Sequence, residues 1–125
     1  SSNIRRAQSN TLGAVQYKGS VPPGGWGVYF SEGSDQYTIY ADMNGNLAYD
    51  PATETWRTRQ LAEEVSIEDI TGTGSSEADI LFEPPDSTTY INGVNSGEAL
   101  MTLDGPANNT AQVRVNFFGL IEVVD

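Results

Sequence analysis

The oxygen-bearing side chains between residues 42 and 50 have a spacing that suits a hard cation. Asp42, Asn44 and Asn46 alternate along the chain, and Asp50 follows four residues later. Calcium takes roughly six to eight oxygen ligands, and alternate side chains of a turning loop can converge on one ion. These four residues are therefore candidate calcium ligands, and calcium is the candidate cofactor.

The same segment also has a purely structural interpretation. An EF-hand loop has glycine at its sixth position and glutamate at its twelfth, where this segment has Leu47 and Thr53. The pair Asn44-Gly45 is a strong signal for a type I′ hairpin turn. A plain hairpin is the favoured interpretation, and a structural calcium ion that ties it to residues 50–54 is the alternative.

A second acidic group is a candidate for catalysis. Glu63, Glu64, Glu68 and Asp69 lie close in sequence, and two carboxyl groups can act as acid and base in a glycosidase. Strand alternation would place Glu64 and Glu68 on one face and the other two on the opposite face. A solvated acidic face is the commoner arrangement, so the sequence predicts that the chain is not an enzyme.

Aromatic side chains are candidates for stacking on sugar rings. Half-buried strands also prefer aromatic residues, so a role in the core or in anchoring loops is favoured. Trp56 lies between polar residues and beside Arg57, and it is the one most expected to be exposed. The seven candidates are Trp26, Tyr29, Tyr37, Tyr40, Tyr49, Trp56 and Tyr90.

The composition excludes several classes of function. The chain has 125 residues, with 6 Lys and Arg against 17 Asp and Glu, a net charge of −11, and neither His nor Cys. This length fits one domain. The negative charge repels phosphate groups, so nucleic acid is not an expected partner. Without His and Cys there is no His-based relay, no thiol chemistry, no zinc site of the usual ligands and no disulfide.

The elements that would position these residues are one helix and a set of strands. Apolar residues three and four apart predict a helix from Ile4 to Val15, ended by Gly19 and by the proline and glycine residues of 22–25. Beyond it, short apolar or alternating runs between turn residues indicate an antiparallel sheet protein. The predicted strands are 26–30, 36–41, 46–49, 65–70, 78–82, 87–91, 98–103, 111–117 and 120–124.

The predicted fold class is α+β, with the N-terminal helix packed on an antiparallel sheet or a two-sheet sandwich. Residues 1–18 would form the helical segment, and residues 19–125 the antiparallel β domain. The last two strands should form a hairpin, because Gly119 separates them. Residues 53–59 are either a polar strand or a structured loop.

Three motifs in this order resemble the type IV pilin-like proteins, most closely the minor pilins and pseudopilins of the GspH/FimT type. They are GWGVYF at the first strand, YTIYADMNGNLAYD after it, and QVRVNFFGLIEVV at the end. The resemblance implies a non-enzymatic subunit of a type IV pilus or a type II secretion filament. Its partners would be other pilin or pseudopilin subunits.

The resemblance also implies a segment ahead of Ser1, with about 20 apolar residues after a short basic leader that a prepilin peptidase cleaves. The protein would contact the membrane only through that segment. It would be extracytoplasmic, anchored in the inner membrane before assembly and then part of a cell-surface or periplasmic filament. The residues expected at the assembly interface are Ile4, Arg5, Arg6, Ala7, Leu12 and Val15.

The charge is unevenly distributed along the chain. Residues from Pro22 onward carry all 17 acidic residues and only 3 of the basic ones, whereas the other 3 basic residues lie within positions 1–18. A basic helix that meets other subunits and an acidic outer domain fit a filament subunit. Arg114 is the last cation, so the basic C-terminal stretch expected of a DNA-capturing member is absent. The alternative function is a secreted carbohydrate- or calcium-binding β-sandwich module.

Overall fold

A computed structural model describes residues 16–61, 65–84, 88–105, 110–119 and 121–124. Over these ranges the chain forms nine strands in two antiparallel sheets. The strands are β1 (Trp26–Ser31), β2 (Gln36–Ala41), β3 (Thr55–Gln60), β4 (Ser66–Thr71), β5 (Glu77–Glu83), β6 (Thr88–Ile91), β7 (Glu98–Asp104), β8 (Thr110–Asn116) and β9 (Ile121–Val124). The five-stranded sheet has the order β3-β2-β1-β5-β6, and the four-stranded sheet has the order β4-β7-β8-β9.

The core lies between the two sheets and follows from strand alternation. Every second residue of β1 and β5 is apolar and buried, and these residues meet the inward residues of the other sheet. The five-stranded sheet contributes Trp26, Val28, Phe30, Ile39, Ala41, Ala78, Ile80, Phe82 and Ile91, and the four-stranded sheet contributes Ile67, Ile70, Ala99, Met101, Val113, Val115 and Ile121.

The prediction of an α+β fold is wrong for this part of the chain, which is all-β. Each sheet buries its inner face against the other, so the core is closed without a helix. The helix predicted from Ile4 to Val15, with all six assembly residues, lies outside the described ranges. Tyr17 and Lys18, assigned to the helical segment, form a turn that closes by backbone hydrogen bonds between Tyr17 and Ser20. Within the described ranges no helix has the length and apolarity to cross a bilayer.

Eight of the nine predicted strands are confirmed to within a few residues, as is the terminal hairpin of β8 and β9. The strand predicted at 46–49 is wrong. Instead β2 pairs with β3, in the register Tyr37 to Arg59, and residues 42–54 form a long connection between the two strands. The polar β3 was the ambiguous segment, and its polarity is explained by its position at an edge of the sheet.

Candidate functional site

The connection of residues 42–54 folds over the outer face of the five-stranded sheet. The ring centroid of Tyr49 lies 5.1 Å from that of Tyr29 and 4.9 Å from that of Tyr40. Tyr40 is fully buried although its strand turns the neighbouring Ile39 toward the core. A second buried region therefore lies outside the sandwich. We call it the outer cluster, made of Tyr29, Tyr40, Asp42, Tyr49, Glu54 and Asp79.

Tyr40 links three strands of the sheet. It lies on β2 opposite Gly27 of β1, and its hydroxyl donates a hydrogen bond to Asp79 Oδ1 on β5. A Cβ atom at position 27 would lie only 2.6 Å from the Tyr40 ring. Glycine at this position therefore leaves the space that the ring needs to cross β1. The motif GWGVYF and the motif that contains Tyr40 fit each other through this contact.

Asp79 is the centre of the hydrogen bonds on this face. Its Oδ2 accepts a hydrogen bond from the Tyr49 backbone N–H at 3.1 Å, in addition to the bond from Tyr40. Burial raises the pKa of Asp79 from 3.8 to about 6, against the lowering effect of the bonds from Tyr40 and Tyr49, and the charges of Asp42 and Glu54 raise it further. Asp79 therefore titrates about two pH units above an ordinary aspartate, near pH 6.

The first and last residues of the connection, Asp42 and Glu54, accept hydrogen bonds from its backbone. Both are fully buried. Glu54 accepts hydrogen bonds from the backbone N–H of Met43 at 2.9 Å and of Asp50 at 2.8 Å, and Asp42 Oδ2 accepts one from Leu47 N–H at 2.9 Å. Burial raises the pKa of Glu54, and the charge of Asp42 adds to this effect. These carboxylates replace backbone partners that the connection lacks because it is not a strand.

The predicted calcium ligands make local turns. Asn44 Oδ1 accepts from Asn46 N–H at 3.1 Å, Asn46 Oδ1 from Ala48 N–H at 3.1 Å, and Asp50 Oδ1 from Ala52 N–H at 3.0 Å. Such bonds two residues along the chain are typical Asx turns. In the part of the chain that the structure describes, no three acidic side chains are placed to hold a metal ion. Calcium binding by Asp42, Asn44, Asn46 and Asp50 stays a prediction.

The other candidate residues are spread over the molecule. Glu68 and Asp69 are both exposed on β4, where an irregularity between Ile67 and Asp69 interrupts the alternation; Glu63 and Glu64 lie outside the described ranges. Trp56 is half-buried: its ring centroid lies 5.4 Å from that of Trp26, and the guanidinium of Arg57 lies 4.3 Å from its ring. Its contacts are those of an anchoring residue.

An open cleft of about 580 Å³ lies at the rim of the outer cluster. Tyr29 and Tyr49 line it together with Glu77 and Asp79 of β5 and with residues from 46–48 and 92–93. Tyr29 and Tyr49 were among the seven aromatic candidates, whereas Glu77 and Asp79 were not singled out. Residues two apart on a strand share a face, but the predicted strand began at residue 78, and only the observed β5 includes Glu77.

Comparisons with protein-family models, with curated proteins and with solved structures find no match for this chain. Its function is therefore inferred from its residues and their geometry.

Proposed function

We propose that this chain is a non-enzymatic subunit of a type IV pilus or type II secretion filament, of the minor pilin or pseudopilin type. The proposal rests on a contact between the first two motifs of the resemblance, in which the Tyr40 ring packs over Gly27. Strand β1, which contains GWGVYF, lies at the centre of its sheet, and Gly27 admits the Tyr40 ring of the second motif. The third motif forms the hairpin of β8 and β9 at the edge of the other sheet.

The carboxylates of the outer cluster support a structural role. Asp42 and Glu54 are fully buried and Asp79 is half-buried, and each accepts at least one backbone N–H bond from residues 43–50. A carboxylate that accepts backbone N–H bonds in this way stabilises the loop. The three carboxylates thus fix the shape of a surface loop.

The distribution of charge supports assembly through the N-terminal segment. The domain from Pro22 onward has 17 acidic and 3 basic residues, so two such domains repel each other at close range. Arg5, Arg6 and Lys18 give the preceding segment the opposite sign. Copies of the chain, or related subunits, would meet through this segment and keep their acidic domains apart on the outside of an extracytoplasmic filament.

The first test is the encoded sequence ahead of Ser1 and its processing in the cell. We expect about 20 apolar residues after a short basic leader. Deletion of the prepilin peptidase should leave a longer, uncleaved form, measured as a shift to higher mass on an immunoblot. A polar segment ahead of Ser1 would contradict the proposal.

The second test is incorporation into filaments. The substitution Leu12→Asp places a charge on the apolar stripe of the predicted helix, and we expect at least about a tenfold loss of protein from sheared surface filaments, because burying the charge is costly. The matched control is Glu68→Gln, which changes an exposed charge on β4. The ratio of filament-bound to total protein is the measurement, and equal ratios for Leu12→Asp and the native chain would contradict assembly through this stripe.

A further inference from the structure

The cleft at the rim of the outer cluster has the size of a small-molecule site. Its volume is about 580 Å³, within the range of roughly 300–1,000 Å³ found for ligand pockets. Tyr29 from β1 and Tyr49 from the connection form an aromatic wall, with ring planes tilted by 38°. Glu77 and Asp79 lie two residues apart on β5 and face the same side of the sheet. Aromatic surface and hydrogen-bonding groups thus line one concave space.

The charge of the cleft restricts the ligand. Glu77 and Asp79 belong to a domain with a large excess of acidic residues, so phosphates, nucleotides and acidic sugars are repelled. Glu77 accepts a hydrogen bond from the Tyr29 hydroxyl, and burial together with this neighbouring carboxylate raises the pKa of Tyr29 to about 12. The hydroxyl therefore remains protonated. Each of these two carboxylates already accepts hydrogen bonds from neighbouring groups. Each can accept a further hydrogen bond from an uncharged donor, such as a hydroxyl group.

The walls of the cleft are held in place before any ligand arrives. Asp79 is fixed by Tyr40 and by the Tyr49 backbone, and the Tyr49 hydroxyl is hydrogen-bonded to Thr55 Oγ1. The Asn92 side chain accepts from Asp79 N–H at 2.8 Å and donates to the Glu77 carbonyl at 2.9 Å, which ties the loop after β6 to β5. A preformed site loses less conformational entropy on binding.

We propose that this cleft binds a neutral sugar unit. Tyr29 and Tyr49 pack against the C–H face of the ring, and Glu77 and Asp79 accept hydrogen bonds from its hydroxyl groups. The site does not include Trp56, the aromatic candidate expected to be most exposed, which is half-buried and packs against Trp26. The inference does not depend on the filament role: a subunit with this site would attach to glycans, and a separate secreted module would do the same.

The experiment is a titration of the isotopically labelled chain with methyl glycosides of glucose, galactose, mannose, N-acetylglucosamine and fucose. Amide chemical shifts are followed by NMR. We expect at least one glycoside to cause saturable shifts at Tyr49, Asn92 and Gly93, with a dissociation constant on the order of 1–10 mM, typical of a small ligand with few contacts. The residues around Trp56 should not shift.

Three variants assign the binding to the cleft. Tyr29→Ala removes part of the aromatic wall and should weaken binding by about tenfold, and Glu77→Gln, at an exposed position, by about threefold to tenfold. Glu68→Gln, an exposed carboxylate on the other sheet, should leave the affinity unchanged. Glu77→Gln is the variant least expected to disturb folding, and amide spectra of all three verify that they fold.

Two results would overturn the proposal. One is the absence of saturable shifts with any glycoside, or shifts that Tyr29→Ala and Glu77→Gln leave unchanged. The other comes from a parallel titration with arginine amide: if it saturates the cleft, depends on Glu77 and outcompetes every glycoside, the cleft is a site for basic side chains. Citrulline amide, which lacks the charge, is the control for that titration.

Discussion

The sandwich core and the outer cluster both contain fully buried side chains, but they are built from different groups. The core consists of apolar side chains from both sheets. In the outer cluster Tyr40, Asp42 and Glu54 are fully buried. This cluster depends on hydrogen bonds that backbone N–H groups donate to the carboxylates of Asp42 and Glu54. An apolar side chain stabilises the folded state wherever it is removed from water. A buried carboxylate stabilises it only when hydrogen-bond donors lie at its oxygens.

This difference predicts different sensitivities. The stability that the core contributes should fall when a side chain is shortened, and it should not depend on pH, because the core contains no titrating group. The stability that the outer cluster contributes should depend on pH and on substitutions of a single group. The reason is that three carboxylates lie close together and repel one another: Asp42, Glu54 and Asp79. Four changes test this contrast, from the largest expected effect to the smallest.

Truncation of the core should have the largest effect. Phe82 is fully buried on β5, and Phe82→Ala should lower the free energy of unfolding by about 3–5 kcal/mol through lost burial and the cavity that remains. Urea unfolding at neutral pH is the measurement. Val94→Ala, at a side chain that is 55% exposed, is the control and should change stability by less than about 0.5 kcal/mol. A loss below about 1 kcal/mol for Phe82→Ala would contradict the assigned core.

A change of pH should act on the outer cluster. The folded state raises the pKa of Asp79 from 3.8 to about 6, so it favours the protonated carboxyl. The resulting stabilisation, about 3 kcal/mol, is fully present below pH 3.8 and is lost as the pH rises through about 6.

Comparison with Asp79→Asn isolates this contribution from those of other acidic groups. Urea unfolding of both proteins is measured from pH 4 to pH 8, at roughly one-unit steps. The difference in stability between the native chain and the variant should decrease across this range, since only the native chain loses the proton. A difference that is constant with pH would show that Asp79 does not titrate as its burial indicates.

A single methyl group at Gly27 should disturb the outer cluster without touching the core. Its Cβ would lie 2.6 Å from the Tyr40 ring, so Gly27→Ala should cost about 1–3 kcal/mol as the ring shifts away from Asp79. In a Tyr40→Leu background the same substitution should cost much less, because the ring is absent. A double-mutant cycle measures this coupling, and additive effects would contradict the crossing contact.

Calcium should have the smallest effect. The side-chain oxygens of Asn44, Asn46 and Asp50 already accept local hydrogen bonds, and we expect roughly 5 mM calcium to change the melting temperature by less than about 1 °C. A rise of several degrees that Asp42→Asn abolishes would instead establish the predicted calcium site. Magnesium at the same concentration is the control for ionic strength.

Much of the sheet structure was predictable because its signals are local. Val113 and Val115 alternate with Gln112 and Arg114, and β8 has the predicted inward and outward faces. The connection of residues 42–54 was not predictable in the same way. The predicted type I′ turn requires a positive φ at both Asn44 and Gly45. Gly45 has a φ of 70°, but Asn44 does not have a positive φ, Leu47 has a φ of 62°, and no strand follows, so the hairpin prediction is wrong. Leu47 is held there by Asp42 and not by its own preference.

The candidate site was predictable only in part. Tyr29 and Tyr49 stood out as aromatic residues, and Asp42 as an acidic residue after an apolar strand. Asp79 and Glu54 gave no local signal, because their importance comes from partners that are distant in sequence: Tyr40 lies 39 residues from Asp79, and Met43 lies 11 residues from Glu54.

The sequence by itself determined eight of the nine strands of the sandwich, the acidic character of the domain and the chemistries that a chain without His and Cys cannot perform. Period-two alternation and residue types act locally, so they can be read from neighbouring positions. Only the tertiary structure decided that residues 42–54 cover the sheet, that Asp42 and Glu54 are buried and Asp79 half-buried, and that a cleft opens beside Tyr29. Those features depend on strand register and on polar groups that find their partners across the fold, and both are settled only when the sheets assemble.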